Sequence, residues 1–204
     1  MGSRKMIVAE LMTKNPSTVQ PCDTLEAAQQ TMAAGRFRHL PVVEKGTLLG
    51  VLTDREVRHH VGHLAHTRVN AVMTPNPVTV EDHSPVERAA NLMIANKVSG
   101  LPVLHDGKLV GIITATDMLR IVEAILGENA GRSARIDLDL IGSGEIKAAT
   151  TLVQSICPLL GIGTYTTSAP KAGEVLFVRV PAASVQGATR ALEQYGFKVL
   201  AVHS

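Results

Sequence analysis

The chain has 204 residues, 45% of them hydrophobic and 19% charged, a composition that supports packed cores and excludes wholesale disorder. A formal charge of +2, with two Tyr, three Phe and no Trp, is too little for the basic, aromatic-lined groove that single-stranded nucleic acid requires, so no nucleic-acid partner is expected. The two cysteines, Cys22 and Cys157, are too far apart for a CxxC pair or a four-ligand zinc site. No apolar run approaches the ~20 residues of a membrane span and the first dozen residues lack a signal-peptide pattern, so a cytoplasmic location without a membrane partner is expected.

In chain order, an internal repeat comes first: residues 8–61 and 69–122 align without a gap, Met12 falling on Met73, and about 19 of 54 aligned positions are identical. In each copy an Asn-Pro turn (Asn15-Pro16, Asn76-Pro77) leads into a short extended segment, because the residue before proline is excluded from the right-handed helical region. A helix follows. Ser84 as N-cap, Pro85 at the first helical position and Glu87 three residues on form a capping box in the second copy, with Asp23 and Glu26 in the same places in the first. Leu25, Ala28 and Met32, and their counterparts Val86, Ala89 and Met93, fall on one helical face. Two apolar runs, 40–43 and 47–53, split by Glu44-Lys45-Gly46 in the first copy and by His105-Asp106-Gly107 in the second, predict hairpins. Each hairpin runs into a second helix, at 54–61 and 117–126, and one unit alone is too small for a good core, so the two copies must pack together. His59, His60, His63 and His66 fall at helical spacings, but no carboxylate or thiolate completes a set and Gly62 weakens the helix; no metal is expected.

After Gly127 the polar, glycine-containing stretch 128–133 predicts a linker. A strand at 134–141, a helix after Gly142-Ser143-Gly144 with Ile146, Ala149, Leu152, Val153 and Ile156 on one face, a hairpin of 162–168 with 174–180, a helix at 184–195 stopped by Gly196, and a strand at 197–202 give the order β-α-β-β-α-β. That order over ~70 residues is a ferredoxin-like split βαβ arrangement. The fold class is α+β.

The β-α-β-β-α units carrying VMTPNPVTV, GLPVL and GIITATD resemble a tandem CBS-domain pair, or Bateman module, with repeats at 6–66 and 67–127. The C-terminal residues 134–204 resemble an ACT domain by topology alone. Together they resemble the acetoin-utilisation-type CBS-ACT regulatory proteins of bacteria. The resemblance implies a regulatory protein without catalytic residues or cofactor, which senses an adenine nucleotide (AMP, ADP or ATP) in the cleft between the repeats. An S-adenosylmethionine sensor and a ligand-free dimerising scaffold are the alternatives.

The ligand signature of that family, Gly-x-x-Thr-x-x-Asp, is complete once, as Gly111, Thr114 and Asp117. Glycine admits close backbone approach, threonine a hydroxyl donor, and a carboxylate at a helix start accepts both hydrogens of a ribose diol. The first copy reads Gly50, Thr53 and Glu56, a longer acid with Arg55 beside it as an ion-pair partner, and is expected to be the weaker half-site. Arg38 and His39, preceding Leu40-Pro41, are expected to meet phosphates. Thr18, Thr79, Val80, Leu101 and Pro102 complete the expected ligand-binding set. The ACT resemblance implies an amino-acid site at Gly142, Ser143 and Gly144, or a purely dimerising role. A homodimer is expected, because amphipathic helices and an open sheet edge need covering.

Overall fold

The computed structural model describes residues 6–126, 133–140, 143–166 and 173–203. The chain divides into two compact units, Met1–Met118 and Leu119–Ser204. The expected linker, apart from Ser133, lies outside the described residues.

The first unit holds both repeats up to the first turn of the second repeat's last helix, whose remainder counts with the second unit. The first repeat runs through helix α1 (Val8–Leu11), strand β1 (Thr13–Lys14), helix α2 (Leu25–Gly35), strands β2 (His39–Glu44) and β3 (Thr47–Thr53), and helix α3 (Asp54–His59). The second follows with β4 (Thr74–Pro75), β5 (Val80–Glu81), α4 (Val86–Asn96), β6 (Gly100–His105), β7 (Lys108–Thr114) and α5 (Ala115–Leu126). Both hairpins turn through two residues of positive φ, Lys45-Gly46 and Asp106-Gly107, the two-residue turn whose twist suits antiparallel strands.

The repeats exchange their leading segments. Strand β1 pairs with β7 of the second repeat, Thr13 opposite Ile112, and β4 pairs with β3 of the first, Thr74 opposite Val51. Val8 is fully buried in the second repeat's core with Leu101, Val103 and Ile113, while Val69 is buried in the first repeat's core with Leu40, Val42 and Leu52. Each core is thus closed by residues that the other repeat carries in sequence.

Three local expectations are corrected. Helix α4 begins at Val86 with Pro85 as its N-cap and no side-chain cap. Ser84 is instead buried, its carbonyl accepting from the Val8 amide at 2.9 Å, so the incoming α1 segment takes the place of a capping box. Helix α2 is capped by Thr24, whose hydroxyl accepts from Ala27 N at 3.2 Å, while Asp23 accepts from Gln20 N and stays outside the helix. Asn15 and Asn76 avoid the right-handed helical region, but by adopting φ of 48° and 47°, the left-handed region that asparagine tolerates, rather than an extended conformation.

The second unit contains β8 (Ser133–Leu140), α6 (Ser143–Ile156), β9 (Gly161–Thr166), β10 (Glu174–Pro181), α7 (Val185–Gln194) and β11 (Val199–His203). The sheet is antiparallel with order β11-β8-β10-β9, so the first and third strands of the unit lie in its centre. The last strand starts two residues later than expected and carries a register shift between Val199 and Ala201. Ile136, Leu138, Leu176, Val178 and Val180 on one sheet face pack with Ala149 and Val153 of α6 and Ala188 and Leu192 of α7. On the alternate positions, Asp137 is 4% exposed and accepts from Arg135 Nε at 2.6 Å and from Tyr165 Oη at 3.0 Å. No helix among the described residues is long and apolar enough to cross a membrane.

Candidate functional site

A cleft of about 570 Å³ opens between the repeats of the first unit. The first repeat contributes Arg38 and His39 at the entry to β2, and Thr53, Asp54, Arg55, Glu56 and Arg58 at the junction of β3 and α3. The second contributes Thr74 and Asn76–Val78 after β4, residues 96–100 after α4, and Pro102. Strand exchange puts Thr74 and Asn76 there, since β4 is paired to β3. Lys97 reaches the cleft because it ends α4 in the left-handed conformation, φ 54°, and its amide turns back to Met93 and Ile94.

The two loops before the Leu-Pro pairs are tied down identically. Asp54 N donates to the Arg38 carbonyl and Ala115 N to the Ser99 carbonyl, each at 3.0 Å, locking each loop to the start of the following helix. Across the repeats, His39 Nε2 lies 3.1 Å from Ser99 Oγ, and a Cβ on Gly100 would sit 3.2 Å from the His39 ring. Glycine at position 100 is therefore what admits the imidazole between the repeats. Burial, reinforced by the neighbouring Arg38 charge, holds the His39 pKa below its ordinary value, which favours the neutral ring as a hydrogen-bonding group in the cleft.

Thr53 and Glu56 form a capping box: the Glu56 carboxylate accepts from Thr53 N at 3.0 Å and from the Thr53 hydroxyl, while Thr53 Oγ1 accepts from Arg55 N. Asp117 does the same in the second repeat, its Oδ2 accepting from Thr114 N at 2.8 Å and from Thr114 Oγ1 at 2.7 Å. The pairing of Glu56 with Arg55 is not seen. Glu56 is held by Thr53, and it is Asp54 that pairs with Arg58, at 3.1 Å.

Of the expected ligand-binding residues, Arg38, His39, Thr53, Glu56 and Pro102 line this cleft together. Thr18, Pro41, Thr79, Thr114 and Asp117 do not line it. Nor do Leu40, Leu101 and Val80, which are buried in the two cores because alternate strand residues face opposite ways. The signature glycines also have another role. A Cβ on Gly50 would fall 2.7 Å from Met73 Sδ and 2.8 Å from the Thr74 carbonyl, and one on Gly111 would collide with Met12, so both admit the exchanged segment of the other repeat. The half-site expected to be weaker thus opens into this cleft.

Arg55, Arg58, Asn76, Lys97 and Ser99 were absent from the expected set. The repeat alignment held a signal for two of them, because Asn76 matches Asn15 and Lys97 matches Arg36. What it lacked was the exchange that carries Asn76 across to the first repeat. Among the described residues no group of three or more His, Cys, Asp or Glu is disposed to hold a metal ion, and His60 of the histidine-rich segment places Nδ1 2.8 Å from the Glu56 carbonyl. In the second unit, Gly142 and the Ser143 side chain of the expected amino-acid site lie outside the described residues.

A profile for the CBS domain matches residues 8–63 and 69–124. A CBS domain-containing protein of Dictyostelium discoideum is 36% identical over 137 residues, covering 60% of this chain and 94% of the relative. Among solved structures, one described as an acetoin utilization protein (AcuB) from Vibrio cholerae superposes with a TM-score of 0.55 at 28% identity, covering 62% of this chain and 96% of that one. The CBS domain pair of protein MJ0100, in complex with 5′-methylthioadenosine and S-adenosyl-L-methionine, gives 0.54 at 27% identity over 57% of this chain and 94% of its own. CBSX2 of Arabidopsis thaliana in complex with AMP gives 0.50 at 30% identity over 57% and 95%.

Proposed function

The chain belongs to the CBS-domain family, and from that membership we propose that it is a regulatory, ligand-sensing protein whose inter-repeat cleft binds an adenine nucleotide. The carrying observation is the convergence of Arg38, His39, Thr53 and Glu56 on one 570 Å³ cleft, which is large enough for a nucleotide. Cations suit phosphate oxygens, and the Glu56 carboxylate, fixed by Thr53, suits a ribose diol. Adenosine compounds are bound in the structures of MJ0100 and CBSX2, which supports the adenosine part of this reading. S-adenosylmethionine is the second reading, because MJ0100 holds it, but a sulfonium among Arg38, Arg55, Arg58 and Lys97 meets like charge.

In this proposal the second unit is an ACT-like, ferredoxin-like domain that dimerises the chain or senses an amino acid near Gly144. Its βαββαβ order and central first and third strands support the topology. Exposed Ile94, Ile162 and Val202, the last two on the open edges β9 and β11, support a homodimer. Light scattering at micromolar concentration is expected to give a dimer mass; a monomer with and without nucleotide rejects that part. Thermal unfolding against AMP, ADP, ATP and S-adenosylmethionine tests the ligand. A bound nucleotide at about 100 times its Kd stabilises by about 2.7 kcal/mol, a shift of several degrees, whereas no shift with any of them rejects nucleotide sensing.

A further inference from the structure

Charge is distributed very unequally between the two half-sites of the repeat pair. Around Thr53 and Glu56 the cleft carries Arg38, Arg55, Arg58 and Lys97 against Asp54 and Glu56. One of the cations is already engaged, Arg58 with Asp54 at 3.1 Å, and Glu56 is turned back onto Thr53. Burial and the Arg38 charge lower the His39 pKa, so the imidazole is not counted among the cations. Arg38, Arg55 and Lys97 are left as positive groups for which the cleft shows no carboxylate partner. In the internal repeat the positions of Arg38, Arg55 and Arg58 are taken by Ser99, Thr116 and Leu119, and only Lys97 keeps a cationic counterpart, Arg36.

Resting on the nucleotide reading of the same cleft, we infer that this half-site selects adenosine ligands bearing two or more phosphates, and that Arg38, Arg55 and Lys97 set the selection. The three cations come from three places: the loop before β2, the first turn of α3 and the C-cap of α4 in the other repeat. A phosphate monoester carries only about −1.5 to −2 charge against these three cations, whereas a diphosphate brings a second anionic group to match them. Bridging Lys97 to Arg38 and Arg55 also ties the two repeats together across the cleft, which couples the phosphate count of the ligand to the junction of the repeats. The cations are exposed, so each adds a modest, salt-screened increment and not an all-or-none contact.

Titration calorimetry on the full chain in magnesium-free buffer, with adenosine, AMP and ADP at low and high salt, tests this. Affinity should rise from adenosine to AMP to ADP, and the ADP advantage should shrink as salt is raised. Arg55→Ala and Lys97→Ala should each weaken ADP about two- to fivefold and narrow its lead over AMP, while Lys97→Arg keeps that lead. Circular dichroism confirms that the variants fold. An affinity for ADP no higher than that for AMP, or an ADP preference indifferent to salt and to both alanine variants, overturns the inference and leaves nucleotide sensing standing. Failure of all three compounds to bind overturns both.

Discussion

Glu56 and Asp117 occupy the same place in their repeats, and each carboxylate folds back on a threonine at the start of a helix. Side-chain length, which from sequence favours Asp117 as the better ribose acceptor, matters less than this shared geometry, because the longer stem of Glu56 is fixed by the Thr53 amide and hydroxyl. Glu56→Ala is therefore expected to lower nucleotide affinity tenfold or more, a charge-assisted contact being worth about 1.5–3 kcal/mol, and to destabilise the first unit by about 1 kcal/mol through the lost cap. Calorimetry alongside denaturant unfolding separates the two effects. Unchanged affinity in a folded Glu56→Ala variant removes that carboxylate from the site. Arg38 and His39 were legible in sequence from their place just before the Leu40-Pro41 pair. Leu40 and Leu101 belong to the same expected set, but strand alternation puts their side chains in the two cores.

At the scale of elements, the hairpins and amphipathic helices follow directly from Asp106-Gly107, from Lys45-Gly46 and from the spacing of Leu25, Ala28 and Met32, since each is a local rule of turn or helix. The exchange of α1 and β1 was not legible. A two-residue strand has no periodicity to read, and nothing within it says which repeat its partner strand belongs to. Gly50 and Gly111 were the available signal, because a glycine inside an apolar strand implies close approach of other atoms; the approaching atoms are those of the exchanged segments, not of a ligand. Gly50→Ala should accordingly push against Met73 and the Thr74 carbonyl and cost about 1–3 kcal/mol, as overpacking does. A Gly50→Ala variant with an unchanged urea midpoint contradicts this account of the glycine. Gly46→Ala, in open space but at φ 83°, should cost about 1–2 kcal/mol from backbone strain alone.

For the molecule as a whole, the buried Asp137 cluster and the inter-repeat cleft belong to different units. Burial alone raises the Asp137 pKa, but hydrogen bonds from Arg135 and Tyr165, the Arg135 charge and His203 together hold it below 3.8. A carboxylate depressed in this way stabilises the fold above its unfolded pKa, and that stability is lost as pH falls through the lower folded value. Asp137→Asn should thus cost about 2–3 kcal/mol near neutral pH, where it leaves Arg135 without its partner, and progressively less below about pH 3.8. Urea unfolding of both proteins across that range checks the sign, and a constant difference argues against it. The order of elements in this unit was readable from hydrophobic alternation, whereas the Arg135-Asp137-Tyr165 cluster was not, since it unites residues from two strands that pair with the same third one. Where the ligand sits is measured most directly by a crystal structure of the full chain grown with ADP. Density is expected in the cleft, with phosphates among Arg38, Arg55 and Lys97 and the ribose at Glu56; nucleotide found only elsewhere, or a cleft left empty at saturating ADP, contradicts nucleotide binding between the repeats.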